Sequence, residues 1–171
     1  MGDRMSPDPL ASRLIGELVA RGLTVATCES LTGGLVGATL TGVPGASAAY
    51  RGGLVTYASD LKGTLAGVDP AWISSHGVIN ARTAEMMAAG CARVCGADLG
   101  LSCTGVAGPD PQDGEPVGTV YVCARLGCPD RSPDHRGDPL RLDLSGDRWA
   151  IRDQTVSAVL QAGLRVVAGT S

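Results

Sequence analysis

Three stretches of this chain bring hydroxyl side chains up against glycines, and a lone lysine follows the second. The stretches are Cys28-Glu29-Ser30-Leu31-Thr32-Gly33-Gly34, Gly52-Gly53-Leu54-Val55-Thr56-Tyr57 and Ser102-Cys103-Thr104-Gly105. The lysine is Lys62, the only one in a chain with 13 arginines. Arginine serves wherever charge and hydrogen bonding suffice, but its guanidinium holds its proton up to a pH of about 12 or more. An ammonium gives up its proton when desolvated, so Lys62 is the cation suited to general-base chemistry. In the first stretch Ser30 and Thr32 flank Leu31, and Gly33-Gly34 lets a ligand approach backbone amides. Amides at a helix start favour developing negative charge or a phosphate. The plainer alternatives are that one hydroxyl caps the helix and that a single lysine is an accident of composition.

Tyr57 ends the second stretch, five residues before Lys62. A strand end there brings it to the same sheet edge as the Ser30 turn, either as a site residue or as an aromatic closing the sheet. The third stretch offers Thr104 and the amides near Gly105. Three strand ends of one character are hard to explain as three independent caps. His76 reads as a turn residue, and His135 has no evident partner. The cysteines form no C-x-x-C pair, and with two histidines in the chain a zinc site is a poor fit. Cys103 reads as a buried structural thiol in preference to a nucleophile.

These residues need a frame. A helix pattern runs over Leu10–Arg21, a strand over Leu23–Cys28, and a second helix opens at Leu35. A strand follows over Ala48–Tyr57, then short helices over Asp60–Ala66 and Pro70–Ser75 and a longer one over Ala81–Val94. Strands over Ala97–Cys103 and Val117–Arg125 bracket a loop from Thr104 to Pro116. The segment Gly127–Pro139 reads as an exposed excursion between hairpin strands, with return strand Leu140–Leu144. Asp147 then caps a helix reaching Val167. The fold class is α/β, a three-layer α/β/α sandwich with a mixed sheet in a single domain. Residues 1–9 read as a tail and 10–168 as the domain. A hydrophobic fraction of 44% with no phenylalanine calls for a core of small aliphatic residues. A net charge of −3 argues against general nucleic-acid binding. No signal-peptide core or membrane span is evident, which with free thiols gives a cytoplasmic expectation.

In its order of motifs the chain resembles the CinA carboxy-terminal domain family, whose stand-alone members include nicotinamide mononucleotide deamidases. The landmarks are Glu29-Ser30-Leu31-Thr32-Gly33-Gly34, Gly53-Leu54-Val55-Thr56-Tyr57 with Lys62, and His76-Gly77. They continue with Thr104-Gly105-Val106-Ala107-Gly108-Pro109-Asp110, Pro116-Val117-Gly118-Thr119-Val120, and Ser145-Gly146-Asp147-Arg148 with Arg152. The resemblance implies a homo-oligomer that hydrolyses the carboxamide of a small-molecule nucleotide without metal or cofactor. It puts Ser30 at the family's nucleophile and Lys62 at its base, with Tyr57 beside them. Thr32, Gly33, Gly34, Thr104 and Gly105 become candidates to bind substrate, and Arg148 or Arg152 to bind its phosphate. Cys28 and Leu31 stand where relatives often have Ala and Cys, and Pro111-Gln112 where they have Gly-Gly. A Ser–Lys amidase for another amide and a catalytically silent nucleotide-binding module are the alternatives. ATP-dependent chemistry has no phosphate-binding loop to support it.

Overall fold

A computed structural model describes residues 6–127 and 137–169. Cys128, His135 and most of the expected excursion lie outside the described residues. Helix α1 spans Pro9–Arg21, capped by the Asp8 carboxylate, which accepts from Ala11 N at 2.9 Å, and ended by Gly22 at φ 65°. Strand β1 is Val25–Glu29, α2 Leu35–Thr41, β2 Tyr50–Val55, α3 Ser59–Thr64, α4 Pro70–His76 and α5 Ala81–Cys95. Strands β3, Leu99–Gly105, β4, Thr119–Leu126, and β5, Leu140–Asp143, precede α6, Arg148–Ala168. The Asp147 carboxylate caps α6 by accepting from Ala150 N at 2.8 Å.

The strands form one sheet in the order β2-β1-β3-β4-β5. The first three are parallel, and β4 runs antiparallel to both its neighbours, β3 and β5, which gives the mixed sheet. Alternation along β3 shows how the layers form. Leu99, Leu101 and Cys103 join a core with Leu14 and Leu18 of α1 and Ile151, Val159 and Leu160 of α6. Gly100 and Ser102 turn the other way, toward α5, where the Ser102 hydroxyl donates to the Ala84 carbonyl at 2.5 Å. A Cβ at Gly100 would run into the Ala88 carbonyl oxygen, and one at Gly90 into the backbone of Ala66. This close approach is met by small residues where α5 lies on β3, Ala84, Ala88 and Ala92, while Met87 fills the core beside Ala26 and Cys28.

The first four strands each start two residues later than their sequence patterns, β3 at Leu99 and β4 at Thr119, and for two of them the structure shows why. The first starts at Val25, because Thr24 is held at a corner, donating from its amide (2.9 Å) and hydroxyl (2.7 Å) to the Asp98 carboxylate. The second starts at Tyr50 after a short 3₁₀ turn over Ala46–Ala48, and its register with β1 slips beside Arg51. No helix among the described residues is long and apolar enough to cross a membrane. What matters for function is that β1, β2 and β3 run parallel. Their carboxyl ends, with Glu29 opposite Val55 and Cys103, therefore open on one edge of the sheet.

Candidate active site

Ser30 is the first residue beyond β1. Its amide donates to the Cys103 carbonyl at 3.1 Å, and its own carbonyl accepts from Gly33 N at 3.1 Å. The chain reverses there, and Ser30, 8% exposed, lines a cleft. Lys62 reaches it from the middle of α3. Its Nζ lies 3.1 Å from Ser30 Oγ and donates to the Thr56 carbonyl at 2.7 Å. The side chain is 1% exposed, and burial pulls its pKa below the usual 10.5, against opposing pulls from Cys28, Cys103 and Asp113. A neutral amine has two N–H groups and one lone pair. Directing one N–H at Thr56 leaves the lone pair available to the Ser30 hydroxyl, the arrangement a general base requires.

The turn itself is held by a buried carboxylate. Glu29 Oε2 accepts from the Thr32 hydroxyl at 2.7 Å and from the amides of Gly34 and Val36, each at 3.0 Å; Oε1 accepts from Gly37 N at 2.8 Å. This corrects the expectation that the start of α2 receives a ligand at Gly33-Gly34. The Gly34 amide belongs to Glu29, the Gly33 amide to the Ser30 carbonyl, and Thr32 is fully buried against Glu29 and Cys103 Sγ (3.1 Å). These three residues shape the turn from within. The glycines are needed there, since Gly33 (φ 60°) and Gly34 (φ 105°) adopt left-handed backbone. The amides of Leu31 and Thr32, in contrast, have no hydrogen-bond partner among the described residues. Unpaired amides in buried residues are rare, and these two directly follow Ser30 in the chain.

Glu29→Ala should therefore be costly. It strands three amides and a hydroxyl, each worth about 1–3 kcal/mol when buried without a partner, so we expect a loss of about 3 kcal/mol or more in urea unfolding. A loss below about 1 kcal/mol would mean that the turn holds without the carboxylate.

The two arginines divide their tasks. Arg152, one turn into α6, donates from Nε to the Leu31 carbonyl and from Nη2 to the Thr32 carbonyl, both at 3.0 Å, and lies over the Trp149 ring. It clasps the outside of the turn and does not line the cleft. Arg148 does line it, donating to the Tyr57 hydroxyl at 2.9 Å and to the Gly108 carbonyl at 2.5 Å. The cleft is about 310 Å³, lined by Ser30, Tyr57, Thr104, Gly105 and Arg148 among the expected residues. Tyr57 is 59% exposed and bonded to Arg148, while Lys62 makes its bonds to Ser30 and Thr56. Thr104 is tied down by donating to the Val78 carbonyl at 2.8 Å. His76 stacks on Trp72 with ring centroids 3.7 Å apart, away from the cleft. Cys103 is enclosed, and burial pushes its thiol up to about 12, leaving no thiolate for attack at neutral pH.

Residues 7–167 match the family model of the CinA C-terminal domain. The chain belongs to that family. It is 44% identical over 162 residues to a CinA-like protein of Frankia casuarinae, covering 95% of this chain and 36% of that one. It is 46% identical over 136 residues to a CinA-like protein of Chlorobaculum tepidum, covering 79% and 32%. This CinA domain thus spans about a third of the length of these curated relatives. Two solved structures share its fold. The CinA superfamily protein KP700603 of Klebsiella pneumoniae superposes with a TM-score of 0.86 at 28% identity, covering 94% of this chain and 96% of that one. The competence/damage inducible protein CihA of Agrobacterium tumefaciens gives 0.84 at 31%, covering 92% and 93%.

Three features of this CinA domain's site went unassigned in the sequence reading: the fourfold grip of Glu29, the Thr56 carbonyl that anchors Lys62, and the Arg152 clasp. Only the first had a usable local signal. A carboxylate followed by Thr32 and by Gly-Gly at a helix start has acceptors to offer where the helix has donors to fill.

Proposed function

We propose that this chain is an amidohydrolase that removes the carboxamide nitrogen of nicotinamide mononucleotide as ammonia, using a Ser–Lys pair. The observation that carries the reading is the buried contact of Lys62 Nζ with Ser30 Oγ, 3.1 Å, where Ser30 lines the cleft. Ser30 Oγ attacks the carboxamide carbon while neutral Lys62 takes the hydroxyl proton. The unpaired amides of Leu31 and Thr32 are the candidate donors to the oxyanion, a type of contact worth about 10²–10³-fold in rate. The C–N bond then breaks, and the Lys62 ammonium returns the proton to the leaving nitrogen, giving ammonia and a Ser30 ester. Water attacks that ester with Lys62 again as base, releasing nicotinic acid mononucleotide and restoring the serine.

Family membership supports the reading, and so does the sheet-edge cleft, which is large enough to admit the ring and ribose of a nucleotide. In this reading Arg148 receives the phosphate, exchanging its two neutral oxygen contacts for charged ones, and Tyr57 flanks the ring. The deciding experiment incubates the purified protein with nicotinamide mononucleotide, measures ammonia by a coupled assay and identifies the product by mass. Equimolar ammonia and nicotinic acid mononucleotide are expected. Binding without turnover would replace this reading with a silent nucleotide-binding module, and turnover of other amides alone would move the substrate.

A further inference from the structure

One residue in the wall of the candidate cleft is gripped at both its amide and its carbonyl. Val78 and Ile79, between α4 and α5, line the cleft and are buried. The Val78 carbonyl accepts from the Thr104 hydroxyl at 2.8 Å, and the Val78 amide donates to the Asp113 carboxylate at 3.1 Å. Asp113 belongs to the β3–β4 loop, which gives Val106, Ala107, Gly108, Asp110 and Gln112 to the same cleft. Among the described residues, its bond to Val78 is the one hydrogen bond that fastens residues 109–114 to another element. The sequence is fitted to make that bond. Gln112 and Glu115 exchange backbone hydrogen bonds across a two-residue turn, with Asp113 at φ 51° and Gly114 at φ 77°. Positive φ at both central positions is a conformation that Asp-Gly favours, so the turn presents its carboxylate at little backbone cost. On the facing segment Gly77 leaves the room required, since a Cβ there would lie 2.9 Å from Asp113 Oδ2.

Asp113 is exposed, so its bond adds little to the stability of the whole domain. What it fixes is where the loop stands relative to Val78 and Ile79. We propose that Asp113 is a positioning residue, which latches the β3–β4 loop to the Val78 amide and so sets the spacing of the cleft walls for substrate. This rests on the amidohydrolase reading above. Without the latch, the loop keeps its bonded ends and the Arg148 contact at Gly108, and its tip is released. Substrate must then order the tip as it binds, at a cost in affinity. The contact between Ser30 and Lys62 involves no loop residue and keeps its geometry. Asp113 therefore serves fit, while the chemical step stays with the pair.

The test compares the native chain with Asp113→Ala and Asp113→Asn. Asparagine keeps an oxygen for the Val78 amide and tolerates left-handed backbone, and alanine does neither. Deuterium exchange reports the Val78 amide, ammonia release from nicotinamide mononucleotide gives KM and kcat, and calorimetry gives the dissociation constant. In Asp113→Ala the Val78 amide should exchange faster and KM should rise about ten-fold, equivalent to about 1.4 kcal/mol, with kcat within about three-fold of native. Asp113→Asn should bring both exchange and KM back to within about two-fold of native. General loss of stability would give neither that split nor that rescue. The split is read on KM because the carboxylate also acts on Lys62 through space. Unchanged Val78 exchange in Asp113→Ala would overturn the latch, as would an asparagine variant as impaired as the alanine one. If ammonia is released and KM does not move, Asp113 falls and the hydrolase stands. If the nucleotide binds and no ammonia appears, the hydrolase falls, and the dissociation constant decides Asp113 in place of KM. If the native chain neither binds nor turns over the nucleotide, both fall.

Discussion

Lys62→Arg should release ammonia from nicotinamide mononucleotide about 10³-fold more slowly than the native chain, within the range of a positioned proton transfer. Arginine keeps the positive charge and the donors and loses only the capacity to be neutral, so the variant separates a base from a mere cation. Lys62→Met should be as slow, and it fits the same narrow space without a charge, which controls for misfolding in the arginine variant. The pH dependence follows from burial. Activity in the native chain should rise with pH as the buried amine loses its proton, below the ordinary 10.5, and then level off. Stability should change over the same window. Between the lowered folded pKa and 10.5 the unfolded chain holds a proton that the folded chain has lost, so native stability rises with pH there. Lys62→Met should abolish that slope in urea titrations. An arginine variant as fast as the native chain would remove Lys62 from the mechanism.

Ser30→Ala should be slower still, by about 10⁴-fold or more in kcat, because it removes the atom that carries the acyl group. Its effect should not add to that of Lys62→Arg. A nucleophile and its base act as one unit, so the double variant should be about as slow as the worse single one. The other hydroxyls provide the contrast. Thr32 donates to Glu29 and Thr104 to Val78 O, so neither hydroxyl is poised against the amine. Thr32→Val and Thr104→Val should lose stability before they lose chemistry. Denaturing mass spectrometry of the native chain, quenched during turnover, should find the acyl adduct on the peptide containing Ser30. An adduct elsewhere, or an active Ser30→Ala, would transfer the role.

What the sequence revealed of this site follows from the range of each interaction. Ser30, Tyr57, Thr104 and Lys62 were legible because each ends or follows a strand whose hydrophobic pattern is local, and parallel strands put such ends on one edge. The tight contact of α5 with β3, at Ala84 and Ala88, was not legible as such in the sequence. Its cause, the Ala88 carbonyl pressed against Gly100, lies in helix–sheet packing. The arginines were harder. Arg148 and Arg152 share one helix turn and the same chemistry, yet one faces the cleft and the other grips a turn 121 residues away in the chain at Leu31. Their register on the helix decides this, and it is set by how α6 docks on β3 and β4. Thr32 misled for the opposite reason. Its motif advertises an exposed hydroxyl, and only the fold brings Glu29 and Cys103 in to enclose it.

The Arg152 clasp also bears on the order in which the domain comes into being. During synthesis the Ser30 turn and Lys62 leave the ribosome long before residues 148–152. Until α6 arrives, the Leu31 and Thr32 carbonyls lack the Arg152 guanidinium, and Ile151, Val159 and Leu160 are missing from the core. The proposed Ser30–Lys62 pair is therefore translated early and finished late. A nascent or truncated chain would hold both reactive groups without the brace that aligns them, so turnover would report that the final helix has docked.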